Sequence, residues 1–520
     1  MNLKKRVFYQ GGVGFLKKKV PDNPIYEANL KALRDRYPQI AARLEETPVN
    51  CDYEMRGTGV KRFVNVYSQK QQFYFYDQED PMKDVSEQLG QLKLKNAKIA
   101  VFLGFGLGYE VSYFAGNMAT SLGTAKILII ERDLELFKTA LHMFNYTPMM
   151  GDKNIKLVVG EAEEDLFPIF AEFFRKDSAV MYLKAMKPMY HTSSLRLHKD
   201  YYLKAMKVLR ESGLYALHFF GNCPEDSLIG VENMLDNIKE IVSHPGINLL
   251  YQKFAGKPAV VVSTGPSLNK NKHLLKGIED KALLIAADAS LRIMMDMGVK
   301  PHLVTSLERV ESTARLLEGF NPDEVEDVYL AACPVVHPMM YELYSGPRII
   351  CYRNFDHFRW VGVEKGILDI KQSAGNMAFK LAEALGCNPI ILIGQDLAFS
   401  RDGKTHASGT VYGENQETQN ILEVMGNDGM PIKTDFMWNE FRKAYEIDVA
   451  GFSGRCVNST EGGAYIKGTE IMTFQQAIDL FINEDFYPRK IIDQAVGQFS
   501  SDSKKEDILS VKKGHSGHKR

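Results

Sequence analysis

The feature that most limits the fold is a series of short, continuous apolar runs after Pro258: "AVVVS", "ALLIAAD", "HLVTSLE", "DVYLAAC", "RIICYRN" and "PIILIGQD". They are too short for buried helices, and they lack the alternation of strands with one wet face. Amphipathic stretches such as "SLRIMMDMGV" and "MAFKLAEALG" lie between them. Apolar strands joined by helices require a parallel sheet covered on both faces. The same pattern occurs earlier in "AKIAVFLGFGLGYEVSYFA", "AKILIIERD", "KLVVG" and "AVMYL". The predicted class is therefore α/β: two Rossmann-like parallel-sheet domains joined by a helical connector, with a partly helical C-terminal region. The expected segments are 1–190 (β-rich, then Rossmann-like), 191–250 (connector), 251–435 (central α/β domain) and 436–520. The polar end, "SSDSKKEDILSVKKGHSGHKR", is expected to be disordered.

Composition narrows the function classes. Lys+Arg 64 against Asp+Glu 65 leaves no excess basic charge for a nucleic-acid binder. No apolar run is long enough to span a bilayer. The opening "MNLKKRVFYQGGVGFLKKKV" lacks the apolar stretch and cleavage site of a signal peptide. The six cysteines (51, 223, 333, 351, 387 and 456) contain no C-x-x-C pair, so neither a disulfide framework nor a zinc site is expected. A cytoplasmic location is the reading these features favour.

The carboxyl ends of parallel strands are where such sheets hold ligands. After "AVVV" come Ser263, Thr264, Gly265, Pro266 and Ser267, a turn that can offer hydroxyls and N–H groups to an anion, or serve only as a strand–helix turn with Ser267 as cap. Asp288 ends the next strand and suits a ribose hydroxyl or a metal ion, or caps the helix that follows. Glu308, beside Arg309, ends the third. Ser373, Gly375 and Asn376 form a helix N-terminus, and "PIILIG" delivers Gln395 and Asp396 to the same edge. The loop beyond carries Lys404, Thr405, His406 and Tyr412. Ahead of these, "GFGLGYE" (Gly104, Gly106, Gly108) with Glu131 resembles the first motif of S-adenosylmethionine-dependent methyltransferases. No methyltransferase catalytic motif follows it, so a structural role is expected there.

Taken together, "VVSTGPSL", "IAADASL", "GVKPHLVTSLE", "SAGNMAFKLAEALG", "ILIGQDLAFSRDGKTHASG" and "VNSTEGGAYIKG" resemble the motility accessory factors of flagellated bacteria, over roughly 258–477. The core is also similar to bacterial sialyltransferases and to archaeal 6-hydroxymethylpterin diphosphokinases. The resemblance implies transfer of a nonulosonic acid (pseudaminic or legionaminic acid type) from its CMP-activated form to Ser/Thr of flagellin. It implies that Thr264, Gly265 and Ser267 hold phosphate and ribose, and that Asp288 and Asn376 fix the nucleoside. His406 is then the general base, with Asp396, Glu308 and Glu461 as other candidates. The sialyltransferase likeness requires no divalent metal and does not exclude one. Glu308 departs from the Asp expected in many relatives. Flagellin and the nucleotide-sugar donor are the expected partners, a homo-oligomer being compatible with both. Two alternatives stay open: a pterin diphosphokinase-like, Mg²⁺-dependent transferase drawing on Asp288, Glu308 and Asp396, and a non-catalytic flagellin-binding assembly factor.

Overall fold

The computed structural model describes residues 23–48, 52–218, 224–354, 361–416 and 420–517. The opening twenty residues, Cys51 and Cys223 lie outside them. The chain divides into two compact units, Met1–Phe220 and Gly221–Arg520. The helical stretch expected over 191–250 is shared between them: Thr192–Leu197 and Lys199–His218 belong to the first, Pro224–Asp236 and Ile238–Ser243 to the second.

The first unit opens with two helices, Pro24–Arg36 and Pro38–Glu46. An antiparallel sheet of β1 (Tyr53–Gly57), β2 (Val64–Ser68) and β3 (Phe73–Tyr74) follows. The parallel sheet comprises β4 (Ile99–Leu103), β5 (Lys126–Glu131), β6 (Ile155–Val159) and β7 (Met186–Tyr190), in the order β6-β5-β4-β7. Every residue of β4 and β5 is buried, the apolar ones as their text requires and Lys126 and Glu131 at the two ends of β5 with them.

In the second unit eight parallel strands run in the order β12-β11-β10-β9-β8-β15-β18-β19. They are β8 (Ala259–Val262), β9 (Leu283–Ala287), β10 (Leu303–Ser306), β11 (Tyr329–Ala332), β12 (Arg348–Ile350), β15 (Ile390–Ile393), β18 (Cys456–Asn458) and β19 (Glu470–Ile471). The intervening pairs are β13 (Tyr352–Arg353) with β14 (Ile367–Leu368), and the exposed hairpin β16 (Ile421–Met425) with β17 (Pro431–Asp435). The sheet thus draws its last two strands from beyond residue 435. Cys333, Cys351, Cys387 and Cys456 are unpaired and buried, and act as small core hydrophobes.

The polar end departs from expectation. Ser501–Gly517 is helical rather than disordered. Asp507 accepts from the Lys365 ammonium at 2.6 Å, and the Lys365 side chain is only 1% exposed. Val511 packs against the core of the unit. A buried cation must be paired, and that requirement anchors a segment whose own composition argues for disorder. Among the described residues no helix is long and apolar enough to cross a membrane.

Candidate functional site

In the eight-stranded sheet the chain first travels outward from β8 to β12, then returns to β15 on the other side of β8. The reversal opens a crevice at the carboxyl ends of β8 and β15, where parallel sheets characteristically bind ligands. Ser263–Ser267 leaves β8 there, and Gln395–Asp396 leaves β15 beside it.

Much of the polar chemistry expected of these residues turns inward. Ser263 Oγ donates to Gln395 Oε1 (2.6 Å), which also accepts from the Tyr445 hydroxyl (2.8 Å). The Gly265 amide donates to the Gly394 carbonyl (2.7 Å). Ser267 donates to Asp396 from its hydroxyl (2.7 Å) and its amide (3.2 Å). Asp396 is therefore not the exposed acid its strand-end position suggests: it is 2% exposed, and burial pushes its carboxyl up to about 7. A Cβ on Gly265 would lie 2.0 Å from Asp396 Oδ2, so glycine is needed here for packing against the acid. Among the turn's three hydroxyls, only that of Thr264, which is half-buried, is uncommitted among the described residues.

The helix Ala374–Ala384 begins against the same crevice. Ser373 and Asn376 spend their side chains on each other in a capping box: Ser373 Oγ donates to Asn376 Oδ1 (2.9 Å) and accepts from the Asn376 amide (3.1 Å). Asn376 is fully buried, and its amide nitrogen turns to the Phe441 carbonyl (3.5 Å). Gly375 admits Gln395, Tyr445 and Ser263, whose polar atoms would lie 2.7 to 3.2 Å from a Cβ. This trio supports the crevice wall rather than presenting donors to it.

Asp288 accepts from Ser306 Oγ (2.8 Å) and from the Ala289 amide (2.8 Å), and burial raises its carboxyl to about 6. Glu308 differs. Its side chain is exposed, and its pKa is raised by surrounding protein, with the Arg309 and Arg353 charges acting in the opposite direction. Arg309 pairs with Asp226 at 2.9 Å.

His406 reaches this edge through its loop. The Ala407 amide donates to the Thr264 carbonyl (2.8 Å), and Ser408 Oγ donates to Asn269 Oδ1 (2.8 Å). Lys404 is taken up by Glu414 at 2.6 Å. The half-buried imidazole lies against Thr405 Oγ1 through Nδ1 (3.0 Å), with Tyr412 and Trp438 as aromatic neighbours at 5.6 and 6.2 Å. Burial lowers its pKa below the ordinary 6.5. Burial raises the Tyr412 hydroxyl to about 12, and the charges of Asp288 and Glu308 add to that, so the ring stands within electrostatic reach of both acids. Trp438, Tyr445 and Ser306 carry no motif. Trp438 had one signal: it is one of only two tryptophans in the chain.

Glu461 is committed elsewhere, accepting from the Phe474 amide (2.9 Å) and from Asn271 (3.3 Å). Among the described residues no three acids, histidines or cysteines gather as metal ligands. Asp396 is turned onto Ser267, and each Asp288 oxygen accepts one internal donor and keeps a lone pair that can take a ligand hydroxyl, so the three acids do not gather as a site fitted to Mg²⁺.

The first unit has an equivalent crevice between β4 and β7, and its own side chains fill it. Glu131, fully buried, accepts from the Phe105 amide (2.7 Å) and the Tyr202 hydroxyl (3.0 Å). The Leu107 amide donates to Tyr76 Oη (2.8 Å). A Cβ on Gly106 would lie 2.3 Å from that oxygen and 2.7 Å from the His191 ring. The glycines make room for protein, in keeping with a structural role.

Residues 64–194 match the family described as glycosyltransferase Maf N-terminal domain, and residues 232–402 match 6-hydroxymethylpterin diphosphokinase MptE-like. The solved Maf glycosyltransferase of Magnetospirillum magneticum AMB-1 is similar in fold: TM-score 0.51 at 15% identity, covering 95% of this chain and 78% of that one. No curated protein matches. The N-terminal match supports glycosyltransferase activity.

Proposed function

We propose that this chain, which pairs a Maf N-terminal domain with an MptE-like core and so stands with the motility accessory factors, transfers a nonulosonic acid from its CMP-activated form to Ser/Thr hydroxyls of flagellin. The observation that carries this reading is the hydrogen bond from the Ala407 amide to the Thr264 carbonyl (2.8 Å). It fastens the histidine loop to the turn that would receive the nucleotide, so donor and base meet at one strand edge.

The chemistry asks little beyond this arrangement. The Thr264 hydroxyl donates to the CMP phosphate, and Asp288 accepts from a ribose hydroxyl. Neutral His406, oriented through Nδ1 by Thr405, takes the acceptor proton on Nε2. The acceptor oxygen bonds to the anomeric carbon as the bond to the CMP phosphate oxygen breaks, and the electron pair leaves with CMP. A single displacement inverts that carbon. Glu308 supplies negative charge beside the carbon as positive charge develops there.

The MptE-like match across 232–402 favours a second reading, a diphosphokinase-type transfer from ATP. Calorimetric titration with CMP, CDP and ATP separates the two. The glycosyltransferase reading expects CMP to bind tightest, and preference for Mg-ATP would overturn it. Loss of the cytidine site with flagellin capture intact would instead point to an assembly factor.

A further inference from the structure

The hairpin of β16 and β17 has two unlike edges. The Phe436 amide donates to the Asn420 carbonyl (2.9 Å) and the Gly426 amide to the Met430 carbonyl (2.9 Å), which fixes the pairing of the residues between them. Because bonding alternates along an antiparallel strand, Leu422 and Val424 spend their backbone groups on β17, and Ile421, Glu423 and Met425 turn theirs outward. On the far edge the Lys433 carbonyl accepts from the Phe399 amide (2.9 Å), and near the tip the Met425 carbonyl accepts from the Tyr465 amide (2.8 Å). The outward N–H and C=O groups of Ile421 and Glu423 have no partner among the described residues. Beside them lies an open cleft of about 490 Å³, lined by Asn420, Ile421, Leu422 and Phe436.

We propose, on the transfer reading above, that this edge takes up the acceptor polypeptide as an added strand and presents its hydroxyl to the donor site. What the edge offers is a donor and an acceptor repeating every second residue, and an extended main chain is the partner that matches both. Such pairing reads backbone rather than side chains, which suits an enzyme that must accept Ser or Thr among varied neighbours. The edge is continuous with the proposed base. Phe436 in the cleft wall and Trp438, 6.2 Å from the His406 ring, stand on the first turn of the helix Phe436–Gly451. Phe399, whose amide closes the far edge, packs on the same Trp438 ring at 5.1 Å. The open strand reads "ILEVM", without the proline or lysine that commonly guards a free edge against strand addition. Ile421 and Leu422, both exposed, give the incoming strand apolar contact.

Residue-level amide hydrogen exchange on the full chain, alone and with excess flagellin, tests this. With flagellin the amides of Ile421 and Glu423 should slow by about tenfold or more, while those of Leu422 and Val424, already bonded to β17, change little. Protection of all four alike, or of none, would overturn the proposal. So would protection of Ile421 and Glu423 without flagellin, which would assign the edge to a second copy or to another segment of this chain. Glu423→Pro removes an outward amide that β17 does not use, and should raise KM for flagellin about tenfold with CMP affinity and thermal unfolding unchanged. An unchanged KM in that variant would also overturn it. Calorimetry with CMP on the same preparation separates the two levels: CMP binding without protection sinks the acceptor edge alone, and absence of CMP binding sinks the transfer reading.

Discussion

Ser267 donates twice to Asp396, from its hydroxyl at 2.7 Å and its amide at 3.2 Å, and thereby pins the turn after β8 to the end of β15. Two residues read separately, Ser267 as a phosphate contact and Asp396 as a candidate base, hold each other instead. The crevice is shaped by that clasp.

Burial makes the clasp pH-sensitive. The Asp396 carboxyl titrates near 7 in the folded chain against an ordinary 3.8, so between those values the folded state holds a proton that the unfolded state has lost. Its contribution to stability is full below about pH 4 and declines as pH rises toward 7. Asp396→Asn, which keeps an acceptor for Ser267, should remove this pH dependence. Urea unfolding at pH 4.5 and pH 7 should show the variant gaining on the parent at the higher pH; parallel curves would refute the assignment.

Gly265→Ala should destabilise the second unit by about 1–3 kcal/mol, because the new methyl meets Asp396 Oδ2 and the Gly394 carbonyl. Denaturant unfolding measures this. Wild-type stability would mean the turn relaxes freely.

Thr264→Val removes the turn's uncommitted hydroxyl while keeping its shape. A hydrogen bond to a charged phosphate is worth roughly 1.5–3 kcal/mol, so CMP affinity should fall about tenfold or more with the melting temperature unchanged. Unaltered affinity by calorimetry would remove Thr264 from the donor site.

For His406→Ala, transfer to flagellin should drop by about 10²–10⁴, with CMP affinity nearly intact. The base acts as neutral imidazole, and burial lowers its pKa. The acidic limb of the parent's pH–rate profile should therefore lie below 6.5 and vanish in the variant. Intact-protein mass over time reads the rate, and near-normal modification by the variant would send the search for a base to Glu308.

Gly106→Ala in the first unit should cost about 1–3 kcal/mol, since the position has φ +53° and its Cβ would lie 2.3 Å from Tyr76 Oη. Binding of CMP should not change. A well-folded variant with lost transfer would mean that the glycine turn serves a ligand.

By itself the sequence determined the two parallel sheets, because strands apolar on both faces admit no other covering. It also determined which residues stand at the strand ends, since "STGPS", "AADAS" and "IGQD" follow their apolar runs directly. Direction was decided only by tertiary structure. Whether Ser267, Asn376 and Asp396 face a ligand or one another depends on which strand ends become neighbours, and the reversal between β8 and β15 sets that. The same holds for the polar tail, made helical by a buried lysine 142 residues away in sequence. Composition measures what a segment can satisfy alone. A buried charge elsewhere in the fold can demand a partner that local text does not foretell.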